Sequence, residues 1–183
     1  ELLPDTPQGR EKATTILRAG GLVAFGTETV YGLGADARND RAVAAIYAAK
    51  GRPGINPLIS HFASADAAFT QVTPTALART LARHFWPGPL TLVLPRGPGC
   101  AISPIATARL PTAAVRVPAG GNTRALLTAC GFPVVAPSAN PSGRVSPSDA
   151  AHVMAGLAGR IDAVLDCGPC RVGVESTIVA LRG

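Results

Sequence analysis

Apolar positions in this chain come in short runs cut by glycine and proline, and their spacing changes repeatedly between helical and extended. A helical pattern over residues 8–18 leads into Leu22-Val23-Ala24-Phe25, four apolar residues in a row, as in a strand covered on both faces. Asn39 is placed to cap a helix running to Lys50, with Val43, Ile46 and Tyr47 on one face. Residues 57–62 read as a strand. Thr73-Pro74 opens a helix whose Leu77, Leu81 and Phe85 form the expected buried side, and Pro87-Gly88-Pro89 separates it from a strand over 90–94. Strands over 113–117 and 133–136 flank a helix over 123–130. A helix over 147–157 and strands over 162–165 and 172–181 complete the series. This alternation predicts an α/β fold, a twisted mixed β-sheet with flanking helices, because the order is not a strict βαβ repeat. No linker or internal repeat divides residues 1–183, so one domain is expected.

Composition narrows the core. Of the 47% apolar residues, 33 are alanine and aromatics are only 4% of the chain, so the interior is built from small aliphatic side chains. Coiled coil, disulfide-stapled miniprotein and disordered tail are excluded. No run of 18 apolar residues suits a membrane helix, and Glu1-Leu2-Leu3-Pro4 does not open a signal peptide, so a cytoplasmic protein is expected. The net charge is +6, unevenly spread. Residues 67–148 hold no Asp or Glu but seven arginines, among them Arg116 and Arg144, and the rest of the chain sums to −1. An anionic partner follows from that imbalance: nucleotide, nucleic acid or phosphorylated metabolite.

Several motifs carry candidate chemistry. Gly32-Leu33-Gly34-Ala35-Asp36-Ala37 fits a loose dinucleotide pattern but lacks the strand immediately before it and the acidic residue after it, and no Walker loop occurs. Gly26-Thr27-Glu28-Thr29-Val30-Tyr31-Gly32 reads either as a turn whose hydroxyls cap the next helix or as a polar recognition loop. Lys50-Gly51-Arg52-Pro53 ends a helix in a tight exit expected to present both cations, a pairing that suits polyphosphate, with Asn56 and His61 close behind. The segment from Ala136 to Arg144 gathers Ser138, Asn140 and Ser142 ahead of a helix where Ser146 and Asp149 match a capping box. It is equally an anion site at a helix N-terminus. Ser138 has no neighbouring base and is not a nucleophile elbow. Arg116 should point away from Val115 and Val117, to solvent or to a site. Glu175-Ser176-Thr177 is exposed strand alternation or a hydroxyl pair at a site. Cys167 and Cys170 are read as part of an ordinary turn, with a redox role as the lesser reading.

Together these segments, in this order and across nearly the whole chain, resemble the YrdC-like family, whose members include L-threonylcarbamoyladenylate synthases. The resemblance also rests on Phe85 to Leu94, Ala114 to Pro118 and Gly173 to Val179. It implies a positively charged concave face and a nucleotidyltransferase that makes threonylcarbamoyl-AMP and pyrophosphate from L-threonine, bicarbonate or CO2, and ATP. The product serves modification of A37 in tRNA through downstream transfer proteins, and direct tRNA contact is a secondary expectation. By similarity, Lys50 and Arg52 are catalytic and join Ser138 and Asn140 in a signature. ATP would be held by Lys50, Arg52, Asn56, Arg116, Ser138, Asn140 and Ser146. L-threonine would be held by Thr29, His61, the backbone at Ala136, and Ser176. Mg2+ would ride mainly on the ATP phosphates, with no protein metal site. Two other readings stay open: a carbamoyl-adenylate-forming relative with another acceptor, and a non-catalytic RNA-binding module. The family also has longer two-domain members, so a chain ending at Leu181-Arg182-Gly183 is expected to be either a short form or a truncated one.

Overall fold

Val23 and Phe25 pack into one hydrophobic layer while Ala24 packs into another, so strand β2 (Val23–Gly26) is covered on both faces, as its unbroken apolar run requires. The computed structural model describes residues 1–181; Arg182 and Gly183, the end of the expected 1–183 domain, lie outside it. Along the chain follow β1 (Leu2–Pro4), α1 (Pro7–Arg18), β2, β3 (Tyr31–Asp36), α2 (Asp40–Lys50) and β4 (Ile59–His61). After these come α3 (Ala65–Phe69), α4 (Ala76–Phe85), β5 (Leu90–Pro95), β6 (Thr112–Arg116) and α5 (Gly121–Cys130). The last elements are β7 (Val134–Val135), α6 (Ala150–Leu157), β8 (Ala163–Asp166) and β9 (Thr177–Ala180). The strands form one mixed sheet in the order β1-β8-β2-β3-β7-β4-β6-β5-β9. Four neighbouring pairs are parallel (β1 with β8, β8 with β2, β4 with β6, β5 with β9) and four are antiparallel (β2 with β3, β3 with β7, β7 with β4, β6 with β5). Helices α1 and α5 bury Leu17, Leu126 and Leu127 on one face; α2, α4 and α6 bury Ile46, Ala78 and Leu157 on the other.

Departures from the sequence reading have physical causes. Residues 26–32 neither cap a helix nor open one: β2 and β3 are an antiparallel hairpin, and Thr27–Val30 is its turn. The glycines of β3 serve packing, since a Cβ at Gly34 would come within 2.7 Å of Phe25 Cε1. Helix α4 is rotated from the face its leucines suggest. Ala78 and Ala82 are its buried residues, whereas Leu77 and Phe85 are more than half exposed, because small side chains let the helix lie close on the sheet. Helix α6 starts three residues later than expected, with the Asp149 carboxylate accepting from His152 N, so Ser146 is not its cap. The strand expected over 172–181 is confined to β9. The short elements β1 and α3 carry too little pattern to have been expected.

Truncation separates the two kinds of leucine. Leu92→Ala, at a fully buried position of β5, should cost about 2–5 kcal/mol in urea unfolding, and Leu77→Ala less than about 0.5 kcal/mol. Equal costs would contradict the orientation of α4.

Candidate active site

One cavity is walled by Thr27, Thr29, His61, Arg116, the Ala136–Ser138 segment, Glu175 and Ser176. Each wall comes from a different part of the chain, held by main-chain bonds. Strand β4 lies parallel to β6, which sets His61 opposite Arg116. The segment after β7 is tied to β3 by Leu33 N donating to Pro137 O and Ala139 N to Tyr31 O. Residues before β9 are tied to the hairpin turn by Val172 N donating to Glu28 O and Gly173 N to Thr29 O.

Arg116 is neither a solvated strand residue nor free. Its side chain does leave the face of Val115, but it enters the protein, only 3% exposed. Nε donates to Gly88 O at 3.3 Å, and Nη2 donates to Glu28 Oε1 at 2.8 Å and to Thr29 Oγ1 at 3.0 Å. Both members of the Arg116–Glu28 pair are buried. Nη1 takes no partner among the described residues, and the second oxygen of Glu28, Oε2, is enclosed without one.

The Thr27 hydroxyl donates to Val30 O at 2.7 Å, so its contact of 2.9 Å with Thr29 Oγ1 has Thr29 as donor. His61 Nδ1 lies 3.2 Å from Ile59 O, which fixes the proton there and leaves Nε2 as an acceptor. Burial, reinforced by Arg116, pushes the imidazole down to about 3, so it is neutral at physiological pH. Ser176 Oγ shares a hydrogen bond of 2.8 Å with buried Thr91.

Of the remaining expected residues, Asn140 and Ser146 line a neighbouring cavity with Pro141, Arg144, Val145 and His152. Ser146 Oγ donates to Glu175 Oε1 at 2.6 Å, and Glu175 belongs to the first wall, so this contact joins the two cavities. Asn140 Nδ2 donates to Pro141 O and Arg144 O, leaving Oδ1 buried and unpaired.

Lys50 differs most from its expected setting. Its ammonium is buried and donates to the carbonyl oxygens of Ser138 and Asn140, so it is not displayed beside Arg52. Burial, then the nearby Arg52 charge, pushes it down to about 8. Gly51, at φ 60°, turns the chain so that only Arg52 leaves toward the partly exposed 51–57 loop. There Arg52 reaches Asn56 O and Pro57 O at 3.5 and 3.3 Å, and Asn56 is exposed. Glu28 and Glu175 were not among the expected site residues. The available signal for Glu28 was a lone acid in a hydroxyl-rich turn between apolar runs. Among the described residues no group of three or more His, Cys, Asp or Glu could hold a metal. Burial pushes the thiols of Cys167 (to about 12) and Cys170 up, unlike a reactive redox pair.

A protein-family model described as telomere recombination, Sua5/YciO/YrdC, matches residues 15–183. The chain belongs to the Sua5/YciO/YrdC family. Within it, the chain is 49% identical over 181 residues to a threonylcarbamoyl-AMP synthase of Bacillus subtilis, covering 98% of this chain and 52% of that protein. It is 47% identical over 174 residues to one of Pyrococcus abyssi, covering 92% and 49%. The chain thus spans about half the length of these curated relatives. P. abyssi Sua5 complexed with L-threonine superposes with a TM-score of 0.94 at 42% identity, covering 99% of this chain and 54% of that one. E. coli YciO, at 21% identity and a TM-score of 0.85 over 100% of this chain and 91% of that one, shares the fold. No helix among the described residues is long and apolar enough to cross a membrane.

The neutral His61 gives a pH signature. Its folded value, about 3, lies below the unfolded one of ~6.5, so the unfolded chain binds the extra proton between those values. Stability from this group is therefore full above ~6.5 and declines as pH falls toward 3. Unfolding free energies at pH 7 and 5 should show that decline, and His61→Gln should lessen it. An undiminished slope in the variant would contradict the burial of a neutral imidazole.

Proposed function

We propose that the protein is an L-threonylcarbamoyladenylate synthase, joining L-threonine, bicarbonate or CO2, and ATP into threonylcarbamoyl-AMP with release of pyrophosphate. The observation that carries this reading is the convergence of Thr29, His61, Arg116, Ala136 and Ser176 on one cavity that also meets Ser138 and, through Glu175 and Ser146, the cavity of Asn140. The donors and acceptors lining the first suit an amino acid. Its carboxylate would take Arg116 Nη1, the donor the protein leaves unused, and His61 Nε2 would accept from the β-hydroxyl. Arg116 thereby belongs with the amino acid rather than with ATP. Ser138, Asn140 and Ser146, with Arg52 and Asn56 on the 51–57 loop, would hold the nucleotide. Lys50 supports them by fixing the Ser138–Asn140 backbone and lending positive charge.

In the proposed reaction the threonine amine becomes a carbamate, giving its proton to bicarbonate or solvent. A carbamate oxygen then attacks the α-phosphorus in line, and pyrophosphate leaves. Such transfers depend on positioning and charge neutralisation rather than covalent help. Mg2+ would arrive on the ATP phosphates and would neutralise phosphate charge. The adenylate would pass, in the cytoplasm, to proteins that transfer the threonylcarbamoyl group to A37 of tRNA.

Three measurements test the reading. L-threonine and ATP together should raise the melting temperature beyond the sum of their separate shifts. A non-catalytic RNA-binding module would show additive or no shifts. Arg52→Ala should lower threonine-dependent pyrophosphate release by about 10²-fold, and a wild-type rate would remove Arg52 from the reaction. If another amine acceptor replaced threonine with equal or better rate, the relative with a different acceptor would be favoured instead.

A further inference from the structure

The Arg116–Glu28 pair raises a question that substrate binding by Arg116 alone does not answer. A guanidinium in a cavity needs no internal carboxylate to attract a ligand carboxylate; a buried acid beside it weakens that attraction. Yet Glu28 is as deeply buried as Arg116, holds Nη2 at 2.8 Å, and spends only one of its two oxygens on hydrogen bonds. Its consequence is a charge balance. Arg116 contributes +1 and Glu28 −1, and His61 is neutral. The other charged side chains nearby are Glu175, at the exposed rim, and Lys50, behind the Ser138 carbonyl.

We propose that Glu28 is a specificity-determining positioning residue: acting through Arg116, it restricts the cavity to zwitterionic α-amino acids. The proposal rests on the functional reading above. Two parts combine. Gly88 O, Glu28 and Thr29 fix the guanidinium on three sides, so that Nη1 alone is offered to a carboxylate. And because the pair is already neutral, a ligand that brings only a carboxylate leaves one uncompensated negative charge in a poorly solvated cavity, whereas an ammonium on the same ligand restores the balance. Hydroxy acids and other small anions are thus disfavoured although they could make the same contact with Nη1. The selection falls on the ligand's amine, the group that must react.

The test compares L-threonine with 2,3-dihydroxybutanoate, in which a hydroxyl replaces the amine, by calorimetric titration of the protein and of Glu28→Gln. The amide keeps the volume and an acceptor for Nη2 but removes the charge. The unsubstituted protein should bind threonine at least about tenfold more tightly than the hydroxy acid, and Glu28→Gln should lose most of that preference, by weaker threonine binding and equal or tighter hydroxy-acid binding. In an Arg116→Lys background, Glu28→Gln should change the preference much less, because its effect runs through Arg116. A purely structural role would weaken both ligands together and leave the preference intact, which overturns the proposal. Should Glu28→Gln fail to fold, the unsubstituted protein still decides: equal affinity for the two ligands overturns the proposal. Binding of neither ligand overturns the functional reading and this proposal with it, whereas threonine binding with an unchanged preference in Glu28→Gln overturns the proposal alone.

Discussion

A guanidinium withdrawn from water has to recover its charge partner and its hydrogen bonds from the protein, and Arg116 does so from two separate places: the loop before β5, and the β2–β3 turn, which supplies both a hydroxyl and a carboxylate. Those bonds fix where the hairpin turn stands relative to β6. Lys50 performs the matching task for the opposite wall, where its ammonium joins the end of α2 to the Ser138–Asn140 backbone. Breaking either cation's contacts would leave buried polar groups unpaired, a loss of several kcal/mol in such settings. The cavity is therefore defined by two internalised cations whose partners come from distant parts of the chain.

The charge distribution along the sequence takes a different meaning in that light. One arginine of the acid-free middle of the chain, Arg116, is internal. It is met by Glu28, some 90 residues earlier, and Lys50, expected at the surface, is internal. What the cations offer a ligand is local: one Nη1 edge from Arg116, and Arg52 on a partly exposed loop beyond Gly51.

Much of the fold was legible because it follows local rules. The apolar run at Leu22–Phe25, the Asn39 cap and the glycine-terminated end of α2 all act through neighbours in sequence. What escaped depends on contacts between remote segments. β3 sets glycines between Tyr31, Leu33 and Ala35, and those glycines are explained only by Ala136, which crowds Gly32, and by Phe25 across the hairpin, which crowds Gly34. The exposed Leu77 and Phe85 of α4 mislead because alanines, contributing little to an amphipathic pattern, are what the sheet accepts at close range. At the site, the residue types were readable from motifs, but their grouping was not. Nothing local places Glu28 against Arg116 or joins Ser146 to Glu175.

The central claim is that these adjoining cavities bring an amino acid, a one-carbon unit and ATP together for a single condensation. The most direct measurement is mass spectrometry of the nucleotide product after incubation with ATP, L-threonine and 13C-bicarbonate. An AMP adduct heavier by the threonylcarbamoyl group, with the carbamoyl carbon labelled, should form only when all three substrates are present. AMP released without that adduct, or an adduct formed equally well without threonine, would contradict the claim.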